Sequence, residues 1–181
     1  MDDDRYTQTE RIGGTYHARR IIALVHWHDR GFHDLTVDEL YWIMALRERV
    51  FVVEQDCPYL EADGFDPVCR HVFATRGAGT TELADLLAYL RVVPPSTRYA
   101  ELSIGRVIVA PAARKLGLGK ELMARGFAAV VAHHGDVPIK IGAQAYLERF
   151  YTELGFRRIS DNYDEDGIPH LYMLRAPSGH A

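Results

Sequence analysis

The apolar residues of this chain form short runs of two kinds, one typical of strands and the other of helices. Runs rich in Val, Ile, Leu, Phe and Tyr, bounded by glycine, proline or polar residues, predict strands. Such runs cover residues 21–27, 71–75, 86–93, 102–109, 138–141, 157–163 and 171–174. Helical spacing predicts helices over residues 36–48, from Gly117 onward and from Gln144 onward, and a polar hairpin is expected at residues 77–81.

Strands that follow one another, interrupted by a few helices, predict an α+β domain. Its central sheet should be mixed and mainly antiparallel, with helices on its faces. The 181 residues are enough for one domain with a sizeable core, which we expect at residues 21–176. Residues 1–20 are polar and lack periodicity, so they predict a flexible N-terminal extension, and residues 177–181 form a short C-terminal tail.

Composition and charge exclude several classes of protein. The net charge of −4 argues against nucleic acid as a partner. No apolar stretch approaches 18 residues, so no membrane span is expected, and the first residues are unlike a signal peptide. Cys57 and Cys69 lack metal-type spacing and favour reduced thiols in a cytoplasmic protein, although they could pair. Histidines such as His26, His28 and His33 are scattered, so no metal is expected.

The strongest chemical signal is a glycine-rich turn between the predicted strand at 102–109 and the helix after it. Residues 114–120, which include this turn, are Arg114, Lys115, Leu116, Gly117, Leu118, Gly119 and Lys120. Such a turn presents unpaired backbone N–H groups beside the positive end of the helix dipole, and therefore binds phosphate. It is not a dinucleotide fingerprint, because Leu122 replaces the third glycine. It is not a Walker A loop either, because Glu121 follows Gly-Lys.

A second segment, residues 144–156, predicts a short helix that ends with Gly155 at the C′ position. Leu147, Tyr151 and Leu154 share one face of this helix. Aromatic residues at this spacing are usually core, so the segment is informative mainly in combination with the first. The two segments lie about 30 residues apart in a fixed order.

Together the two segments resemble the coenzyme-binding segments of the GCN5-related N-acetyltransferase (GNAT) family. Residues 114–119 match its pyrophosphate-binding motif, Arg-x-x-Gly-x-Gly. Residues 150–156 match its second signature, an aromatic residue and Tyr followed by Leu-Gly-Phe. Residues 46–59 and 163–170 are similar to the ElaA-type branch, and the likeness extends from about residue 26 to residue 175.

The resemblance implies the GNAT fold and acetyl-CoA as cosubstrate. The turn from Arg114 to Lys120 would hold the pyrophosphate. The pantetheine arm would lie along a strand edge at Val107, Ile108 and Val109, in a V-shaped slot, with Gln144 also on the coenzyme side. The acetyl group would pass directly to a primary amine in a ternary complex. Homodimers are common among similar proteins, so a dimer is possible here.

The resemblance also implies catalytic residues. Tyr151 matches the general acid of the family, which protonates the departing thiolate. Ser103 occupies the position of the usual catalytic Glu, but a serine cannot act as a base at neutral pH. The base therefore remains open between Glu101, acting through water from the same strand face as Ser103, and Glu54, Glu165 or His170 in the branch-specific segments.

Residues expected on the acceptor side are Glu54, Gln55, Tyr59 and Asp63, with Asp66 nearby. The acidic cluster of Glu61, Asp63 and Asp66 suits a cationic amine or is a solvated loop. The acceptor itself, a small molecule or a protein amine, remains open. Two other functions stay possible: an acyltransferase that uses longer acyl donors, like the acyl-homoserine lactone synthases, and a non-catalytic acyl-CoA sensor. Cys57 could be a covalent nucleophile only with a positioned histidine.

Overall fold

The computed structural model describes residues 25–78 and 82–179. The predicted N-terminal extension lies outside these residues, as do the start of the first predicted strand, part of the predicted hairpin and the last two residues. The described part of the C-terminal tail is hydrogen-bonded to the domain, because the N–H groups of Ser178 and Gly179 donate to the Asp136 carboxylate at 2.7 and 3.3 Å.

The described residues form eight strands and three α-helices. They are β1 (Val25–Gly31), α1 (Val37–Arg47), β2 (Arg70–Arg76), β3 (Leu86–Val93), β4 (Leu102–Val109), α2 (Leu118–His134), β5 (Ile139–Gln144), α3 (Glu148–Thr152), β6 (Arg157–Arg158), β7 (Tyr163–Glu165) and β8 (Ile168–Arg175). A π-helical segment, Glu48–Glu54, continues α1.

All eight strands belong to one mixed sheet in the order β1-β2-β3-β4-β5-β8-β6, with β7 paired to β8. Every pairing is antiparallel except that of β4 with β5, which is parallel. The predicted α+β class with a mainly antiparallel sheet is therefore confirmed. The parallel pair is joined only at Leu102–Ile139 and Ser103–Lys140, so β4 and β5 diverge towards their C-terminal ends.

Several boundaries follow directly from local sequence signals. Strands β3 and β4 span the predicted residues. The predicted capping box of α1 is present: the Glu39 N–H donates to Thr36 Oγ1 at 3.1 Å, and the Thr36 N–H donates to Glu39 Oε2 at 2.9 Å. Helix α2 begins after Gly117, whose φ of 81° is a left-handed conformation that favours glycine.

Apolar side chains cover both faces of the sheet. On one face α2 packs against β2, β3 and β4, where Leu122 and Met123 are fully buried. Gly126 allows this close approach, because a Cβ there would lie 2.7 Å from Leu90 Cδ2. On the opposite face, α1 buries Ile43 and Leu46 in a second core cluster. Strands β3 and β4 are thus packed on both faces.

Two secondary-structure predictions were wrong. Gln144 does not begin a helix: it is the last residue of β5, opposite His170 of β8, and α3 begins only at Glu148 after a 3-10 turn. The predicted strand at 157–163 is two short strands, β6 and β7. Between them the Tyr172 N–H donates a hydrogen bond to Ser160 Oγ at 2.8 Å. A side-chain oxygen therefore accepts the bond that a backbone carbonyl would accept in a continuous strand.

The predicted end of the second segment is correct. Gly155 has a φ of 87°. The Phe156 N–H donates to the Tyr151 carbonyl at 3.1 Å, and the Gly155 N–H donates to the Thr152 carbonyl at 3.0 Å. These two bonds form the Schellman motif that a C′ glycine permits. They also fix the backbone of Tyr151 at the edge of the slot.

Candidate active site

A cavity of about 330 Å³ lies in the widening between β4 and β5. It is walled by both strands, by β8 and by the loop that follows the π-helical segment. Residues predicted for coenzyme, catalysis and acceptor meet here. Those that line the cavity are Gln55, Tyr59, Asp63, Ser103, Val107, Gln144, Tyr151, Glu165 and His170. Glu101 and Glu54, two of the residues considered as the base, do not line the cavity.

A β-bulge shapes the β4 wall of this cavity. The register between β3 and β4 shifts between Tyr89 and Arg91, and Arg106 has a φ of 55°. A bulge of this kind redirects a side chain and increases the local twist. Here the Arg106 guanidinium lies over the rings of Phe51 and Tyr59, at 5.7 and 5.8 Å from their centroids. The bulge thus brings Arg106 into the cavity wall.

A second groove, of about 320 Å³, lies at the start of α2. It is lined by the predicted phosphate cradle together with Val109 and Phe150, and a Cβ on Gly119 would lie 3.7 Å from the Phe150 ring. Among residues 25–78 and 82–179 no side chain caps α2 or accepts a hydrogen bond from its first-turn N–H groups. This arrangement fits a diphosphate. Leu116 packs instead against the core, so its predicted contact would be through the backbone.

The two spaces are neighbours along one strand edge. Val107 lines the cavity and Val109 lines the groove; likewise Tyr151 lines the cavity and Phe150 the groove. From Gly105 onward β4 has no strand partner on its β5 side among the described residues. An extended molecule can therefore run from the cradle along this edge into the cavity.

Arg114 is hydrogen-bonded within the protein through all three of its guanidinium nitrogens, and two of its five N–H groups remain for a ligand. Its Nη1 and Nη2 atoms donate to the Glu54 carboxylate at 2.7 and 2.8 Å, and its Nε donates to the Val109 carbonyl at 3.3 Å. The hydrogen bond from Arg114 lowers the pKa of Glu54. Glu54, predicted for the acceptor side, thus lies beside the predicted phosphate cradle and not in the cavity. Lys120 is similarly bonded to Glu153, at 2.9 Å.

Glu54→Gln should bind coenzyme A about two- to fivefold more tightly than the wild type. The carboxylate competes with the diphosphate for Arg114, and an exposed ion pair contributes up to about 1 kcal/mol. Titration calorimetry measures the difference in Kd. Glu121→Gln is a matched control, since it removes a charge from the first turn of α2 without touching Arg114. Weaker binding by Glu54→Gln would show that Glu54 holds Arg114 in its binding position.

The side chain of Tyr151 forms part of the cavity wall. Its ring is 7% exposed and packs edge-on against Phe150 and Phe156, and it lines the cavity. Its hydroxyl has no hydrogen-bond partner among the described residues. Burial raises the pKa of Tyr151, so the phenol keeps its proton at neutral pH.

The predicted acidic cluster is neither solvated nor free to bind a cation. Its carboxylates form what we call the buried ion cluster, which consists of Arg47, Arg91, Arg106, Glu61, Asp63 and Asp66. Arg47 and Arg91 are at most 1% exposed. Three arginines balance three carboxylates, which removes the charge argument for a cationic acceptor at this position.

Each member of the buried ion cluster has at least two contacts. Arg47 donates to Glu61 at 2.5 Å and to Asp66 at 2.6 Å. Arg91 donates to Asp63 at 2.5 and 2.8 Å and to Asp66 at 2.8 Å, and Arg106 donates to Glu61 at 2.7 Å. These bonds fix the loop that carries the cavity residues Tyr59 and Asp63.

Sequence reasoning missed the three arginines of this cluster. One available signal was Arg91, a charged residue inside an eight-residue strand that is otherwise apolar or aromatic and is buried throughout. A charge in such a strand is almost always paired. Arg47 and Arg106 gave no comparable signal, because they lie in segments with other charged residues.

Cys57 and Cys69 are free thiols, and both are buried. Cys57 lines the cavity, and its Sγ donates to the Asp166 carbonyl at 3.7 Å. Burial and then the charge of Asp166 raise its pKa, which disfavours the thiolate that a nucleophile needs. No histidine hydrogen-bonds to it within the described residues.

Neither a metal cluster nor a membrane-spanning helix occurs in the described part of the chain. No three His, Cys, Asp or Glu side chains of residues 25–78 and 82–179 come together as metal ligands. None of the helices there is long and apolar enough to cross a membrane.

Comparison with known proteins identifies the class that this fold and site define. A family model described as "Acetyltransferase (GNAT) domain" matches residues 91–176. Protein ElaA of Escherichia coli (strain K12) is 38% identical over 154 residues, covering 84% of this chain and 97% of ElaA. The chain therefore belongs to the GNAT family of acyl-CoA-dependent acyltransferases. Within that family it is similar to ElaA, as the sequence resemblance predicted.

Solved structures agree. The crystal structure of E. coli ElaA gives a TM-score of 0.74 at 37% identity, covering 83% of this chain and 99% of that chain. An acyl-CoA N-acyltransferase from Pseudomonas aeruginosa gives 0.76 at 42% identity, covering 84% and 99%. The structure of a CoA-dependent acyl-homoserine lactone synthase, solved with SAM and isopentyl-CoA, gives a TM-score of 0.66 at 16% identity, covering 83% of this chain and 82% of that chain. That last likeness concerns the fold alone.

Proposed function

We propose that this protein transfers an acetyl group from acetyl-CoA to the primary amine of a small molecule while both substrates are bound. The observation that supports this most directly is the continuity of the cradle, the free edge of β4 and the cavity. The cavity volume of about 330 Å³ lies within the range of small-molecule sites.

The chain's own residues would bind and orient the two substrates. First-turn N–H groups of α2, with Arg114, Lys115 and Lys120, would hold the diphosphate. The edge at Val107, Ile108 and Val109 would hydrogen-bond the pantetheine amides as an added strand. When bound, acetyl-CoA supplies an activated acetyl group whose leaving group is a thiolate. Tyr151 would donate the proton that this leaving group requires.

One hydrogen bond joins two walls of the cavity. Gln144 Nε2 donates to Gln55 Oε1 at 3.1 Å, which links the end of β5 to the loop after the π-helical segment. Glu54 and Gln55 are consecutive, so one short segment contacts both the cradle and β5. This arrangement supports direct transfer with both substrates present, because coenzyme and acceptor share one set of supporting residues.

Thiol release from acetyl-CoA in the presence of a diverse panel of amines tests the proposal. We expect release that depends on one class of small amine, with intersecting initial-rate lines that indicate a ternary complex. Parallel lines would indicate an acyl-enzyme, for which Cys57 would be the candidate. Faster release from hexanoyl-CoA would support the longer-donor alternative. Tight coenzyme A binding without release from any acceptor would support the sensor.

A further inference from the structure

The proposed transfer needs a base, and β4 does not provide one. Ser103 is 4% exposed and carries only a hydroxyl. Glu101 lies just before β4 and does not line the cavity. The carboxylate that other members of the family place on this strand is therefore absent from the cavity, and a proton acceptor must come from another wall.

Of the carboxylates on the other walls, those of Asp63 and Glu165 are occupied, and that of Asp166 is exposed to solvent. Asp63 accepts hydrogen bonds from Arg91, Arg106 and the Phe65 N–H. Burial opposes ionisation of Asp63, but the bonds and charge of Arg91 outweigh it and hold its pKa far below the ordinary value. A carboxylate so stabilised is a weak base. Glu165 accepts hydrogen bonds from Arg98 at 2.9 Å and from Tyr163 at 3.2 Å.

His170 differs from these carboxylates, because its hydrogen bond determines which ring nitrogen carries the proton. The other nitrogen is then free to accept a proton. Nδ1 lies 2.8 Å from the Ile168 carbonyl oxygen, which can only accept. Nδ1 must therefore carry a hydrogen, and in the neutral ring Nε2 holds the lone pair. Nε2 has no hydrogen-bond partner in residues 25–78 and 82–179, and His170 lines the cavity.

The strand pairing and the cavity lining place His170 on a different wall from the edge assigned to pantetheine. His170 is directly opposite Gln144 in the β5–β8 pair. The β4–β5 pairing ends at Ser103 and Lys140, and beyond it the two strands diverge around the cavity that Val107, Gln144 and His170 all line. Val107 begins the edge assigned to pantetheine, next to the thioester. His170 and this edge thus belong to different walls of one cavity.

We propose that Nε2 of His170 is the general base for the acceptor amine, an inference that rests on the proposed function. The amine nitrogen forms the new C–N bond as the C–S bond breaks. Its proton passes to Nε2 of His170, and the departing sulfur takes the Tyr151 hydroxyl proton. Transfer of one proton from His170 through solvent to the Tyr151 phenolate restores both residues.

Two variants with the best acceptor of the amine panel test this role. His170→Asn keeps a donor near the Nδ1 position for the Ile168 carbonyl but has no basic nitrogen. We expect its kcat to fall about 10²-fold, in the range of general-base contributions, with coenzyme A affinity unchanged. His170→Ala should lose a similar amount and recover about tenfold or more of it when imidazole is added, because the free base enters the space of the side chain.

His26→Gln, on the opposite edge of the sheet in β1, is the control and should keep wild-type kcat without an imidazole effect. Wild-type kcat in His170→Asn would overturn the proposal. So would a His170→Ala variant that binds coenzyme A normally, is slow, and gains nothing from imidazole. The thiol-release assay with the wild-type protein tests the proposed function separately. If the wild-type protein acetylated no amine in that assay, the proposed function itself would be wrong.

Discussion

Tyr151→Phe should lower turnover by about 10²-fold or more while leaving the Kd of coenzyme A within about twofold of wild type. The substitution removes one oxygen and keeps the ring that packs between Phe150 and Phe156. Without the hydroxyl, the departing sulfur must leave as an unprotonated thiolate or take its proton from water. The loss should therefore appear in kcat and not in coenzyme binding.

Tyr146→Phe is the matched control for this experiment. Tyr146 lies five residues earlier in the same segment, but it is 73% exposed and lines neither space. It should retain wild-type turnover. If Tyr151→Phe also turned over at the wild-type rate, Tyr151 would have no part in proton transfer, and its burial in the cavity wall would be its only role.

The second large effect concerns stability. Arg47→Met should lower the free energy of unfolding by about 3–5 kcal/mol, because it removes one of the two arginine partners of Glu61 and of Asp66 and leaves the three carboxylates of the buried ion cluster with two arginines. The methionine side chain fills most of the same space, so the loss of charge dominates. Urea unfolding followed by circular dichroism measures it. Arg125→Met, which removes an exposed pair with Glu121, should cost less than about 1 kcal/mol.

The same experiment has a defined dependence on pH. Burial of Asp66 disfavours its ionised form, but the hydrogen bond and charge of Arg47 and the charge of Arg91 lower its pKa overall. A carboxyl with a lowered folded pKa stabilises the protein above its unfolded pKa, near 4, and this contribution is lost as the pH falls further. The stability difference between wild type and Arg47→Met should therefore shrink below about pH 4. A constant difference would show that Arg47 acts through packing alone.

Much of the fold could be predicted because strong local signals and the topology agree. The apolar runs at β3 and β4, the Thr36 capping box and the two glycines, Gly117 and Gly155, each determine a boundary through backbone chemistry within a few residues. The start of α3 could not be predicted in this way. Its position depends on how far β5 remains paired with β8, and that pairing involves residues 26 positions apart.

The residues of the candidate site likewise differ in how far local sequence could predict them. The cradle is a local sequence feature, so its residues could be identified from spacing, and Tyr151 from its resemblance to the family motif. The roles of Glu54 and Asp63 could not, because they depend on Arg114 and Arg91, which lie 60 and 28 residues away in the chain. Charge along a sequence shows which side chains are ionised but not which of them are already neutralised by a distant partner.

The short junction between β4 and β5 has a thermodynamic consequence. Only two residue pairs join these strands, so a molecule that hydrogen-bonds the remaining edge of β4 acts as part of the sheet. Its binding energy then adds to folding, by about 2.7 kcal/mol at a concentration one hundred times its Kd. Melting temperature should consequently rise with coenzyme A in a saturable manner, and the same readout can rank acyl donors and acceptors before any of them is shown to react.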